Sequence, residues 1–132
     1  MRLNTLLVIN AVVAAVFGIA FVLVPTQVMS LYGAEVSAAL KYTGQLFGAA
    51  LMAFAVLSWS ARNAADSEAR RAIVLALFIG DLVGLVVAFL GQLGGVVNAL
   101  GWSTVVLYLL LTLGFGYFQF FKPVSQAAPP MA

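Results

Sequence analysis

The stretch AIVLALFIGDLVGLVVAFLGQL, residues 72–93, decides the fold. Twenty-two residues carry a single charge, Asp81, and no proline. At 1.5 Å rise per residue a helix of this length spans about 33 Å, which matches a hydrocarbon core of about 30 Å. Polar and apolar residues do not alternate, so the pattern fits a membrane helix and not a barrel strand. Arg70 and Arg71 stand just before it, and Gly94-Gly95 follow.

Three more runs of this kind lie along the chain. One extends from Leu3 to Val24 and stops at Pro25, one covers about 38–61, and one covers 102–121. The whole chain has 132 residues, of which 64% are hydrophobic and 8% charged, with a mean hydropathy of +1.14. A water-exposed surface needs roughly a quarter of residues charged. Six Lys/Arg and four Asp/Glu cannot supply one. The predicted fold is all-α, an integral membrane antiparallel four-helix bundle. It forms a single membrane domain over 1–122 with spans of about 3–24, 38–61, 72–93 and 102–121, and residues 123–132 read as a disordered tail.

Orientation follows the basic residues. Arg2 precedes the first span, Arg62, Arg70 and Arg71 lie between the second and third, and Lys122 follows the fourth. The other side has only Lys41. This places both termini and the middle loop of a multi-pass membrane protein in the cytoplasm. The first span is longer than a signal-peptide core and no A-x-A-like site follows, so it reads as uncleaved. Pro25–Gly33 reads as a short amphipathic helical turn stopped by Gly33. Asp66-Ser67-Glu68 sets negative charge at the start of the third helix. Gly94–Gly101 is a tight outer turn, and Trp59 and Trp102 mark opposite interfaces.

The chain has no His and no Cys. That excludes Cys/His zinc sites, thiolate nucleophiles and His-dependent triads. No catalytic residue, metal ligand or cofactor motif is identifiable, and no basic stripe suits nucleic acid. Membrane lipids are the expected partners, with a larger membrane complex or a homodimer beside them.

Polar groups inside the membrane are the candidate site. Asp81 lies ten residues past Arg71, hence about 15 Å deep. Asn10 and Thr112 count to a similar depth, and the second span is read as having no polar group there. On the third helix Asp81 shares a face with Leu77, Gly84, Ala88 and Gly91, the least bulky stripe. Asn10 aligns with Leu7, Ala14 and Phe17; Tyr108, Thr112, Phe115 and Gln119 share another face. Turned inward, these stripes build one polar cluster. A carboxyl at this depth costs about 2.5–3.5 kcal/mol on insertion scales. Two readings stay open: Asp81 as hydrogen-bonded glue between helices, or Asp81 as a proton-coupling or ligand-anchoring group. Lys41 and Gln45 form an i, i+4 pair at the outer mouth, where Lys41 snorkels, pairs with Glu35, or guards an entrance. Gly44-x-x-x-Gly48 and Gly80-x-x-x-Gly84 are close-packing motifs. The letters TLGFG at 112–116 match a potassium filter, but inside an uninterrupted apolar span they cannot form its re-entrant loop.

Several of these features together resemble the small bacterial four-helix membrane proteins of the DoxX-like and unknown-function type. They are Pro25…Leu31-Tyr32-Gly33, Gly48-Ala49-Ala50, Trp59…Arg62 and the Gly-rich turn before Gly101-Trp102. The resemblance implies a compact four-helix bundle and, in some relatives, a link to quinone or thiol redox systems. Without Cys the thiol role does not carry over. Small multidrug-resistance transporters differ in having an essential glutamate in the first span, where this chain has Asn4 and Asn10. The expected function is a binding or accessory subunit of a membrane complex, or a binder of a lipid- or quinone-like ligand. The alternatives are a small proton-coupled transporter using Asp81, and a membrane redox or quinone site using Tyr108, Asp81 and Gln45.

Overall fold

A computed structural model describes residues 2–121. Its helices are α1 (Leu3–Leu23), α2 (Pro25–Leu31), α3 (Ala38–Ala61), α4 (Glu68–Leu93) and α5 (Gly101–Gly116), the last continuing into a π-helical turn, Tyr117–Phe121. There is no strand among the described residues. Four helices, with α5 and its π turn counted as one, are long and apolar enough to cross a membrane. The expected tail, 123–132, lies outside the described residues.

Local chemistry explains the boundaries. Pro25 occupies the first turn of α2, where its missing N–H costs nothing. Gly33 ends that segment at φ +75°, a conformation that a side chain would strain. Ser37 caps α3 by accepting from the Leu40 N–H at 3.1 Å. Ser67 does the same for α4 with the Arg70 N–H at 3.2 Å, with Glu68 in the first turn. This cap starts α4 four residues before the apolar run at Ala72, because a span and its helix need not begin together.

The long helices pack chiefly as two pairs, α1 with α3 and α4 with α5. Small residues dominate the first seam. The buried positions of α3 are Gly44, Gly48, Ala55, Ser58 and Ala61. A Cβ on Gly48 would sit 2.8 Å from the Gly18 carbonyl oxygen, so the two backbones meet with no room for a methyl group. Asn10 meets Ser58, Gly18 meets Gly48 and Val22 meets Gln45, so the numbers fall on α3 as they climb on α1. In the second pair Gly116 faces the Phe78 ring, Gly84 faces Tyr108 and Gly101 faces Gln92, with the same opposed running order.

The pairs are joined at two levels. Near the α3–α4 loop, Leu3, Leu6, Leu7, Ala61, Val74, Leu77, Leu111, Phe115 and Phe118 form the apolar core. Arg70 ties the same end together, donating to the Asn4 side chain at 2.7 Å and the Ala61 carbonyl at 3.2 Å. At the far end Asn98 donates its N–H to the Tyr32 carbonyl at 2.8 Å and its side-chain amide to the Leu31 carbonyl at 2.9 Å. Thr104 donates to the Tyr32 hydroxyl at 3.0 Å beside it. The α4 helix is the least covered of the four, with only Val74 and Leu77 buried.

Candidate functional site

The polar residues of the spans form a layer. Asn10 donates its side-chain amide to the Ser58 hydroxyl at 2.8 Å, in a seam where Asn10 is 6% and Ser58 0% exposed. Depth counting misses Ser58, because it lies only four residues before Arg62 and so reads as interfacial. The pairing shows that α1 begins about one turn beyond the end of α3, so Ser58 comes level with Asn10. The usable signal was the small-residue stripe Gly44, Gly48, Ala55 and Ser58, whose spacing puts Ser58 on the packing face.

The other half of the layer belongs to α4 and α5. Gly116 opposite Phe78 and Tyr108 opposite Gly84 bracket Thr112, which comes level with Asp81. The α1 residue Leu6 packs where a Gly114 Cβ would sit. Four residues up α1 and two up α5 from that contact, Asn10 and Thr112 differ in height by about 3 Å. Asp81, Thr112, Asn10 and Ser58 therefore occupy one stratum, with Tyr108 one turn above Thr112.

Their hydrogen bonding is uneven. Asn10 and Ser58 satisfy one another, whereas the Thr112 hydroxyl and the Asp81 Oδ2 are shut away from solvent with no partner. Thr112 is 6% exposed and does not bond back to its own helix. A buried polar group left without a partner costs about 1–3 kcal/mol, more if charged. The sequence places Asp81 in register with Thr112, but the packing leaves the two unbonded, and Asn10 turns to Ser58 instead.

Gln45 and Lys41 are placed elsewhere. Gln45 donates to the Val22 carbonyl at 3.1 Å, thirteen residues and about 20 Å along α3 from Ser58. It shares no contact with Asp81 or Tyr108. Lys41 is exposed, and the ion pair among the described residues is Arg71–Asp66 at 3.7 Å. Of the four packing glycines, Gly44 faces Met29 and Phe21, Gly48 faces Gly18, Gly84 faces the Tyr108 ring, and Gly80 has nothing within 4 Å. Residues 112–116 are helical throughout, so their carbonyls do not form a filter. Among the described residues no three His, Cys, Asp or Glu side chains gather where they could hold a metal ion.

A protein of four helices long and apolar enough to cross a membrane, with an internal polar layer, is the class that this arrangement defines. The chain belongs to the family described as a domain of unknown function (DUF8292), whose model matches residues 1–119. No curated protein and no solved structure matches it.

Proposed function

We propose that the chain is an antiparallel four-helix bundle of a bacterial inner membrane, with both termini cytoplasmic, that binds a lipid- or quinone-like amphiphile. It acts as a binding or accessory subunit of a membrane complex and has no covalent chemistry of its own. The single observation that carries this reading is the pair of buried, unpartnered oxygens on Asp81 and Thr112. In a hydrocarbon surrounding, such groups call for a hydrogen-bonding guest. The basic residues Arg2, Arg62, Arg70 and Arg71 support the orientation. The family that matches the chain is a domain of unknown function, with no DoxX-like match, so a likeness to DoxX-like proteins has only packing and interface residues behind it and assigns no role to any side chain.

The test is extraction into native-lipid nanodiscs followed by native mass spectrometry. Wild type is expected to retain an amphiphile that Thr112→Val and Asp81→Leu lose. Identical ligand profiles for wild type and correctly folded variants would overturn the reading.

A second reading, proton-coupled transport, is favoured by one fact: Asp81 is the one acidic residue in the interior of the spans. It requires that Asp81→Asn abolish proton-driven flux in liposomes. A quinone site that includes Gln45 has less support, since Gln45 lies at the other end of α3 from the polar layer.

A further inference from the structure

An apolar groove opens between α3 and α4 just above the loop that joins them. It measures about 190 Å³ and is lined by Phe54 and Leu57 on one wall and Ala72, Ile73, Ala76 and Leu77 on the other. An apolar cavity of about 150 Å³ takes up benzene, so this one is large enough for an isoprene unit or several methylenes. Its α4 wall is shallow because Ala72 and Ala76 are small. The next residue on that line, Gly80, has open space where a Cβ would project. Leu77, at the upper end of the groove, lies one helical turn below Asp81 on the same face. The lining of the groove thus ends one helical turn short of Asp81.

We infer that this groove holds the single apolar tail of the amphiphile whose hydroxyl-bearing head reaches Asp81 and Thr112. The inference rests on the proposed ligand-binding reading and specifies the guest: one chain, one small head that donates a hydrogen bond, entry sideways between α3 and α4. Two observations converge on that guest. The groove wall is wholly apolar in residue type, which suits a hydrocarbon chain. The unpartnered Asp81 and Thr112 oxygens a turn higher suit a hydroxyl, which both donates and accepts and so matches Asp81 ionised or protonated. A phospholipid with two chains and a charged phosphate fits neither end, since both arginines of α4 are already engaged, Arg70 by donating to Asn4, Ala61 and Arg62 and Arg71 by pairing with Asp66.

The probe is a medium-chain fatty alcohol with a diazirine near its tail end, short enough for that end to lie in the groove, compared with its methyl ether, in phosphatidylcholine nanodiscs containing the full chain. On photolysis the alcohol should label peptides containing residues 54–57 and 72–77 at least fivefold more than the ether. Ala76→Phe, which fills the groove from α4, should lower that labelling about tenfold, and Leu57→Trp should do so from α3. Leu75→Phe, on the opposite side of α4, should not, and thermal unfolding confirms which variants are folded. Equal labelling by alcohol and ether, with Asp81→Leu and Thr112→Val also without effect, overturns the head site and with it the ligand-binding reading; if that labelling also survives both groove-filling variants, the groove assignment falls too. Labelling that depends on Asp81 yet survives both groove-filling variants overturns the groove assignment alone and leaves the ligand-binding reading standing.

Discussion

Replacing Gly48 by alanine adds one methyl group at the tightest point of the α1–α3 seam. That methyl would stand 2.8 Å from the Gly18 carbonyl oxygen, 2.9 Å from the Phe21 Cβ and 3.0 Å from a Val22 methyl. Ordinary contact begins near 3.4 Å, so the seam must open by about 0.6 Å. A backbone carbonyl cannot swing aside as a side chain can, so the helices move. A radial gap of 0.5–1 Å forfeits roughly a quarter to a half of the dispersion energy of each atom pair along it. In a membrane this loss matters more than in water, because packing and not water exclusion holds helices together. Overpacking costs about 1–3 kcal/mol, and the reduced freedom of the unfolded chain returns about 0.5–1 kcal/mol. The net expectation is a loss of about 1–2 kcal/mol, seen as a lower thermal unfolding midpoint in detergent. Gly80→Ala is the matched control: it lies in the same kind of helix with open space around the new methyl, and should be neutral or slightly stabilising. A Gly48→Ala protein that unfolds at or above the Gly80→Ala midpoint would refute the seam argument.

Further outcomes follow from other contacts. Gly18→Ala should be milder than Gly48→Ala, and the double variant should lose less than the sum, because both methyls open one seam. The Asn10–Ser58 hydrogen bond should show a coupling of about 0.6 kcal/mol in a double-mutant cycle with alanine at each position; a coupling of zero would remove the bond from the account. Asn98→Ala deletes a donor to the Leu31 carbonyl and an acceptor for the Leu100 N–H, at about 1 kcal/mol each. Amide exchange should then quicken in segments 30–33 and 98–102 while the α1–α3 seam stays protected. Arg70→Met should free the start of α1, costing about 1–2 kcal/mol after allowance for partial exposure. Exchange at residues 3–8 reports it, and unchanged protection there would show the Asn4 contact to be incidental.

Much of the fold was legible from the residues alone. Span length, the low charge count and the positions of Pro25, Gly33, Ser67 and Gly95 mark where helices run and stop, because bilayer thickness and backbone stereochemistry act on local sequence. The stripe of Leu77, Asp81, Gly84, Ala88 and Gly91 on α4 was legible too: Leu77 is buried and the other four are half-buried. Pairing was not. Which helix meets which, and at what offset, depends on how small residues on two distant segments interlock, and no local pattern encodes that offset. The one-turn overhang of α1 beyond α3 brought Ser58 to Asn10, took Asn10 from the cluster around Asp81, and left Gln45 bonded to Val22. Gly80 and Gly84 make the same point four residues apart: one motif, yet a Tyr108 ring at one glycine and open space at the other. Sequence determined four helices long and apolar enough to cross a membrane, with polar groups near the middle of three of them. Tertiary packing decided which of those groups found partners, and left Asp81 and Thr112 without them, since each buried hydrogen bond depends on the relative height of two helices.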